Sequence, residues 1–131
     1  HFLTPTRIRN DGVVQTELTF QDLIRALLRR LSSLCYFHCG SELAVDFRGL
    51  IDQAANVCTV SSHLRWHDQE RVSGRQHRRI DMGGVVGHVT FEAPKAEVLD
   101  PFLPLLAAGE WVHVGKGAVM GLGEYQMEVS A

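Results

Sequence analysis

Apolar residues recur along this chain with two periods, and the switch between them predicts the elements. Leu23, Ile24, Leu27, Leu28, Leu31, Leu34 and Cys35 return at three- and four-residue intervals, which places them on one face of an α-helix. Thr19 with Asp22 three positions on resembles a capping box that starts this helix, and Gly40 supplies its stop. Arg25, Arg29 and Ser33 fall on the far side, with Arg30 at the flank. Leu43, Phe47, Leu50, Ile51 and Ala54 carry the same period into a second, shorter helix that Gly49 weakens. From Val57 the period becomes two: Cys58, Val60, Leu64 and Trp66 are expected to face a core, while Thr59, Ser61, His63, Arg65 and His67 form a polar, basic face.

The flanking segments complete the pattern. "FLTPTRIR", residues 2 to 9, predicts a short strand in which Pro5 suits an edge or a strand start, since it donates nothing to a ladder. "QERVSGRQ" predicts a turn around Gly74, and a return strand runs from about His77 to Glu92 with a bulge at Gly83 and Gly84. "EVLDPFLPLLAAGE" predicts a helix with Pro101 in its first turn and Gly109 as terminator. "WVHV" and "YQMEV" predict two closing strands. The order is that of an α+β chain, a βαββαβ ferredoxin-like sandwich with an antiparallel sheet.

Between those closing strands lies "HVGKGAVMGLGEYQM", with glycines at 115, 117, 121 and 123. It lacks the G-x-x-x-x-G-K-[ST] spacing of a P-loop, because Lys116 is followed by Gly117, and the G-x-G-x-x-G order of a dinucleotide fold also fails. Glycines expose backbone N–H groups with no Cβ in the way, so such a loop can follow a phosphate backbone, and Lys116 adds a cation. The same glycines also suit tight packing against another part of a larger protein.

With 131 residues, 45% of them hydrophobic, the chain fits one compact unit with an ordinary core. Its start, "HFLTPTRIRN", holds no long apolar run, so neither a signal peptide nor a membrane span is expected. His1 in place of a Met reads as a cut edge, which suggests half of something larger. Cys35, Cys39 and Cys58 cannot all pair within the chain, which favours a reducing compartment and a cytoplasmic location.

A net charge of −2 gives no global sign of nucleic-acid binding, but arginine is concentrated. Arg65, Arg71, Arg75, Arg78 and Arg79 stand against Asp68 and Glu70 between residues 63 and 79, a local surplus of three. Arginine grips phosphate through two donors, so this hairpin is a candidate phosphate-binding strip, which the family resemblance given below assigns to RNA; a solvated hairpin with Asp68 and Glu70 paired locally is the alternative. His63 and His67 share the polar face and titrate near neutrality, and His113 precedes the glycine loop. Cys35, His38 and Cys39, with Cys58, have spacing a zinc ion can use, but there is no paired C-x-x-C and Cys35 continues the core stripe, so no metal is assigned. Trp66, Trp111, Tyr36 and Tyr125 are large enough to stack on bases, with Trp66 assigned to the core by its phase.

Five segments in this order, "FLTPTRIR", "LLRRLSSL", "WHDQERVSGRQ", "GGVVGHVTFE" and "HVGKGAVMGLGEYQM", resemble the C-terminal half of the CRISPR-associated repeat-processing endoribonucleases of the RAMP superfamily. The resemblance implies that residues 1–131 are a single ferredoxin-like domain, the second of two in tandem. It implies cleavage of the CRISPR precursor transcript within each repeat, without metal or cofactor, by attack of a ribose 2′-OH. Its partners would be CRISPR repeat RNA and the missing N-terminal fold, and exposed interface would make the isolated chain self-associate. Catalytic residues of the family lie in that N-terminal fold, so none is assigned here. Gly115, Lys116, Gly117, Gly121 and Gly123 occupy the family's loop motif, which contributes to RNA contact and to the interface between the folds. A non-catalytic RAMP subunit holding guide RNA, or a ferredoxin-like regulatory module binding a metabolite, are the competing expectations.

Overall fold

In the computed structural model, which describes residues 1–68 and 82–130 in full and residues 70–73 and 78–81 as backbone, the leucine stripe forms α1, Phe20–His38. Its start is the expected capping box: Thr19 Oγ1 accepts from the Asp22 amide at 3.1 Å, and Asp22 Oδ2 accepts from the Thr19 amide at 3.3 Å. Leu23, Ile24, Leu27 and Leu28 are buried, whereas Leu31, Leu34 and Cys35 are half-buried and Tyr36 and Phe37 are exposed. The last turns of α1 therefore run beyond the core. α2, Phe47–Ala54, is capped by Asp46, whose carboxylate accepts from the amide of Gly49 at 3.0 Å. The backbone amide of Gly49 thus takes part in the helix start.

The main sheet joins β1 (Phe2–Thr6), β4 (Cys58–His67) and β7 (Gly84–Glu92) in the order β1-β7-β4, all antiparallel. The return strand is divided at Met82 and Gly83 instead of bulged: β5 (Glu70–Ser73) and β6 (Arg78–Asp81) form a separate two-stranded ribbon beyond β4 and β7. The turn expected at Gly74 lies outside the described residues. β2 (Arg9–Asn10) and β3 (Val13–Val14) make a small hairpin through Asp11 and Gly12, both at positive φ. An Asp-Gly pair is the usual signature of such a turn.

The core face of β4 differs from expectation. Thr59 pairs with Phe91 and Ser61 with Thr90, so Val60 is an extra residue in a bulge. One extra residue reverses the alternation, so Leu64 and Trp66 face the helices with Val85 and Gly87, but Cys58 pairs with Glu92 on the other face and is exposed. Val60 itself is 53% exposed. In β1 the register slips between Phe2 and Thr6, and Pro5 sits in that irregularity, where no ladder amide is missed.

The C-terminal elements also depart from expectation. α3 spans Leu103–Val112 and absorbs Trp111 and Val112, which were assigned to a strand. Gly109 lies buried inside this helix instead of ending it, and Pro104 takes the first-turn place expected of Pro101. The final segment contributes one bridge, Phe2 to Tyr125, reinforced by Leu3 N–H to Glu124 O at 2.8 Å and Gln126 N–H to His1 O at 2.9 Å. That places residues 124–126 at the open edge of β1, so the sheet reads residues 124–126, β1, β7, β4, the ferredoxin-like order.

α1 and α3 pack together, and the core lies between the helices and one sheet face, where Phe20 meets Phe91 and Phe102 edge-on at 5.3 and 5.2 Å, beside Ile24, Leu27 and Val85. The other face carries exposed His63, Arg65 and His67 of β4 and His88 and Thr90 of β7. Among the described residues no helix is long and apolar enough to cross a membrane.

Two substitutions rank the forces at α1. Thr19→Ala should lower stability by about 1 kcal/mol through loss of the cap, and Leu27→Ala by roughly 2–5 kcal/mol through a core cavity. Urea unfolding followed by circular dichroism checks both, and a neutral Thr19→Ala would contradict the capping geometry.

Candidate functional site

The glycine-rich loop closes against the chain's own first strand. Lys116 N–H donates to Arg7 O at 3.0 Å and Gly123 N–H to Pro5 O at 3.1 Å. Within the loop, Val114 N–H reaches Gly123 O at 3.1 Å and Leu122 N–H reaches Gly117 O at 3.2 Å. Thr4 binds from the side, its hydroxyl donating to Gly121 O at 2.9 Å and accepting from Glu124 N–H at 3.0 Å. Two glycines are required by this approach. At Gly123, φ +73, a Cβ would overlap the Val114 carbonyl oxygen, and at Gly115, φ +85, it would stand 2.5 Å from Arg7 O. Gly117 and Gly121, also at positive φ, flank a short 3-10 turn at Ala118–Met120.

His113 enters the loop from the end of α3 with φ +66, an uncommon conformation for a residue with a Cβ. Its Nδ1 lies 3.1 Å from Leu122 O, so the tautomer protonated there donates to that carbonyl. His113 is therefore hydrogen-bonded within the loop scaffold, and the strand expected around it is replaced by a helix end. The Lys116 side chain belongs to an exposed residue, and Val119 and Met120 are exposed apolar neighbours in the sequence.

Arg7 links this loop to the hairpin and is the residue that sequence reasoning missed. It is 9% exposed; its Nε donates to Gly83 O at 3.0 Å, at the break between β6 and β7, and its guanidinium carbon lies 5.5 Å from the centre of the Trp66 ring. Its carbonyl meanwhile holds Lys116. Nothing in "TPTRI" distinguishes a buried arginine from a solvated one. Trp66 faces inward by register yet is 38% exposed, and its Nε1–H donates to Asp68 Oδ1 at 2.7 Å. Asp68, for which local pairing is the alternative to an RNA-binding strip, anchors the indole.

The other candidates separate into distinct regions. Arg65 is exposed on the outer sheet face with His63, which pairs directly with His88, and His67. Arg71, Arg78 and Arg79 are placed as backbone, opposite Ile80, Ser73 and Val72 in the β5–β6 ribbon. Arg75 lies outside the described residues. Arg30 is occupied structurally, its Nε and Nη2 donating to Val112 O at 3.1 and 3.0 Å. Tyr125 is buried, its hydroxyl donating to Leu106 O at 2.6 Å, and burial followed by the Glu110 charge pushes its phenol above the ordinary range. It cannot stack on a base. Tyr36 is exposed and packs edge-on against Phe37 at 5.0 Å, and Trp111 is 88% exposed. Cys35, His38 and Cys39 lie at the end of α1 and Cys58 opens β4; among the described residues no group of three or more His, Cys, Asp or Glu is placed to hold a metal ion.

A family model for the CRISPR-associated endoribonuclease Cas6 matches residues 1–125. Among solved structures, the Cas6 (TTHA0078) product complex is similar with a TM-score of 0.62 at 23% identity, over 98% of this chain and 49% of that one. The Cas6 (TTHA0078) substrate mimic complex is similar with a TM-score of 0.57 at 23% identity, over 94% of this chain and 49% of that one. At this identity the likeness is one of fold. The chain spans about half the length of the structures it matches. A search of curated protein sequences gives no match.

The loop geometry separates two glycines by cost. Gly121→Ala meets nothing within 4 Å and should cost roughly 1–2 kcal/mol from its left-handed backbone alone. Gly123→Ala adds the clash with Val114 and should cost clearly more. Equal urea midpoints for the two variants would contradict the close approach of Gly123 to Val114 within the loop.

Proposed function

Because the chain belongs to the CRISPR-associated endoribonuclease Cas6 family, we propose that it is the RNA-binding C-terminal domain of an enzyme that cuts CRISPR precursor transcripts within each repeat, in antiviral defence. The family match over residues 1–125 carries this reading. Residues 1–131 form one ferredoxin-like domain, the second of two, which accords with a chain about half as long as the structures it resembles. Its partners are CRISPR repeat RNA and the preceding fold, and it works in the cytoplasm. Without that fold, the exposed side chains of Tyr36, Phe37 and Trp111 favour self-association.

The chemistry is transesterification. A base takes the proton from a ribose 2′-OH, the oxyanion attacks the adjacent phosphorus, the P–O5′ bond breaks, and an acid protonates the departing oxygen. The products are a 2′,3′-cyclic phosphate and a 5′-hydroxyl, and no water nucleophile or metal ion is needed. The acid and base come from the preceding fold. This chain supplies binding: the backbone of Gly115, Gly117, Gly121 and Gly123 and the cation of Lys116 approach phosphates, and Arg65, Arg71, Arg75, Arg78 and Arg79 extend the contact along the hairpin. The pre-set loop supports this role, because Lys116 is tied through its amide to Arg7 while its side chain belongs to an exposed residue.

Fluorescence anisotropy against a repeat RNA, the same sequence as DNA and a scrambled RNA, over a salt series, tests the reading. The repeat RNA should bind most tightly. Lys116→Ala should weaken it severalfold and reduce the log–log salt slope by about 0.7, the share of one phosphate contact on a single strand. Negligible binding to all three by the protein with both folds would overturn the reading. A cleavage product with a 5′-phosphate would overturn the mechanism.

A further inference from the structure

We propose that Trp66 is a stacking platform for an unpaired nucleobase of the bound RNA, an inference that rests on the RNA-binding reading above. Trp66 stands next to last in β4, opposite Val85, on the side of the sheet that faces the helices, yet 38% of its surface is open. Its one polar atom, Nε1, is spent on Asp68 at 2.7 Å. The indole therefore has no donor left to offer a ligand, and what remains to it is the π-system of its carbons.

The ring is also held before any ligand arrives. Asp68 fixes its N–H edge, and the Arg7 guanidinium, itself held by Gly83 O, lies 5.5 Å from the ring centre. A side chain ordered in this way loses little rotamer freedom on binding, which is the usual cost of recruiting a large aromatic. Arg65 and His67, its neighbours in the strand, alternate to the opposite face. Arg7 spans from the indole to the glycine loop, with its guanidinium against one and its carbonyl on Lys116 N–H at 3.0 Å. A strand whose phosphate meets Lys116 is thereby brought near the exposed indole.

The chemistry selects the occupant. Inside an A-form duplex each base face is covered by its neighbours, so an aromatic side chain at the flank of the strand path meets a base face where a nucleotide is unpaired. Stacking on tryptophan tolerates any base, because every base has a π-face. Trp66 thus contributes affinity at an unpaired position of the repeat, while the cations supply the salt-dependent part.

The test uses the protein with a fluorescein-labelled repeat RNA and, in parallel, a Trp111→Phe background in which emission reports Trp66 alone, since the chain has two tryptophans. Trp66→Leu should weaken binding about tenfold with an unchanged salt slope, since stacking releases no counterions, and Trp66→Phe should retain most of the affinity. RNA should quench Trp66 emission in the Trp111→Phe protein, a readout that holds even where Trp66→Leu disturbs the fold around Arg7. Wild-type affinity in Trp66→Leu, or tight RNA binding with no change in Trp66 emission, would overturn the proposal while leaving the RNA reading intact. Absence of RNA binding by the unsubstituted protein with both folds would overturn both.

Discussion

Two carbonyls at the end of the first strand, one within it and one just past it, organise the candidate site. Pro5 O and Arg7 O accept the amides of Gly123 and Lys116, and so seal both ends of the glycine-rich segment onto β1. The contact demands backbone without Cβ at Gly115, against Arg7 O, while Gly123 is pressed against Val114 inside the loop, so the loop has a set shape held on the sheet. Since β1 also lies beside β7, the position of Lys116 follows from the packing of the core. A loop fixed in this way can present a cation to a phosphate without first being ordered, which lowers the cost of binding.

Arg7 extends the same logic sideways. A buried guanidinium is expensive unless paired, and this one is held by the Gly83 carbonyl and lies against the indole of Trp66. The residue that follows β1 thereby touches the loop, the break at the base of the β5–β6 ribbon, and the exposed aromatic at the end of β4. The glycine loop and Trp66, two of the features proposed to face RNA, share a support, and a disturbance at Arg7 reaches both.

Much of the fold was legible in the residues, for local reasons. Thr19 and Asp22 carry a cap in four residues, and the α1 stripe needs no tertiary knowledge. The polar face of β4 with His63, Arg65 and His67 was also readable from period two. Beyond Val60 the reading failed toward Cys58, because a bulge depends on the partner strand and leaves no mark in one sequence. "WVHV" was assigned to a strand for its β-prone residues, yet α3 continues through Val112, where Arg30 caps the last carbonyl from another helix. Tertiary contact overrode local propensity there. The glycine loop was identified as a motif, but its partner was not: a carbonyl of β1 more than a hundred residues away cannot be inferred from spacing. Arg7 and the Asp68–Trp66 bond were hidden for the same reason.

Amide hydrogen exchange measured by NMR, without RNA and then with the repeat RNA, addresses this account most directly. If the loop is built onto β1, the amides of Lys116 and Gly123 are protected in the free protein to the level of the neighbouring strand, and RNA adds little to them. If those two amides exchange freely until RNA is added, the loop is ordered by its ligand, and the claim that β1 sets the binding surface in advance is wrong.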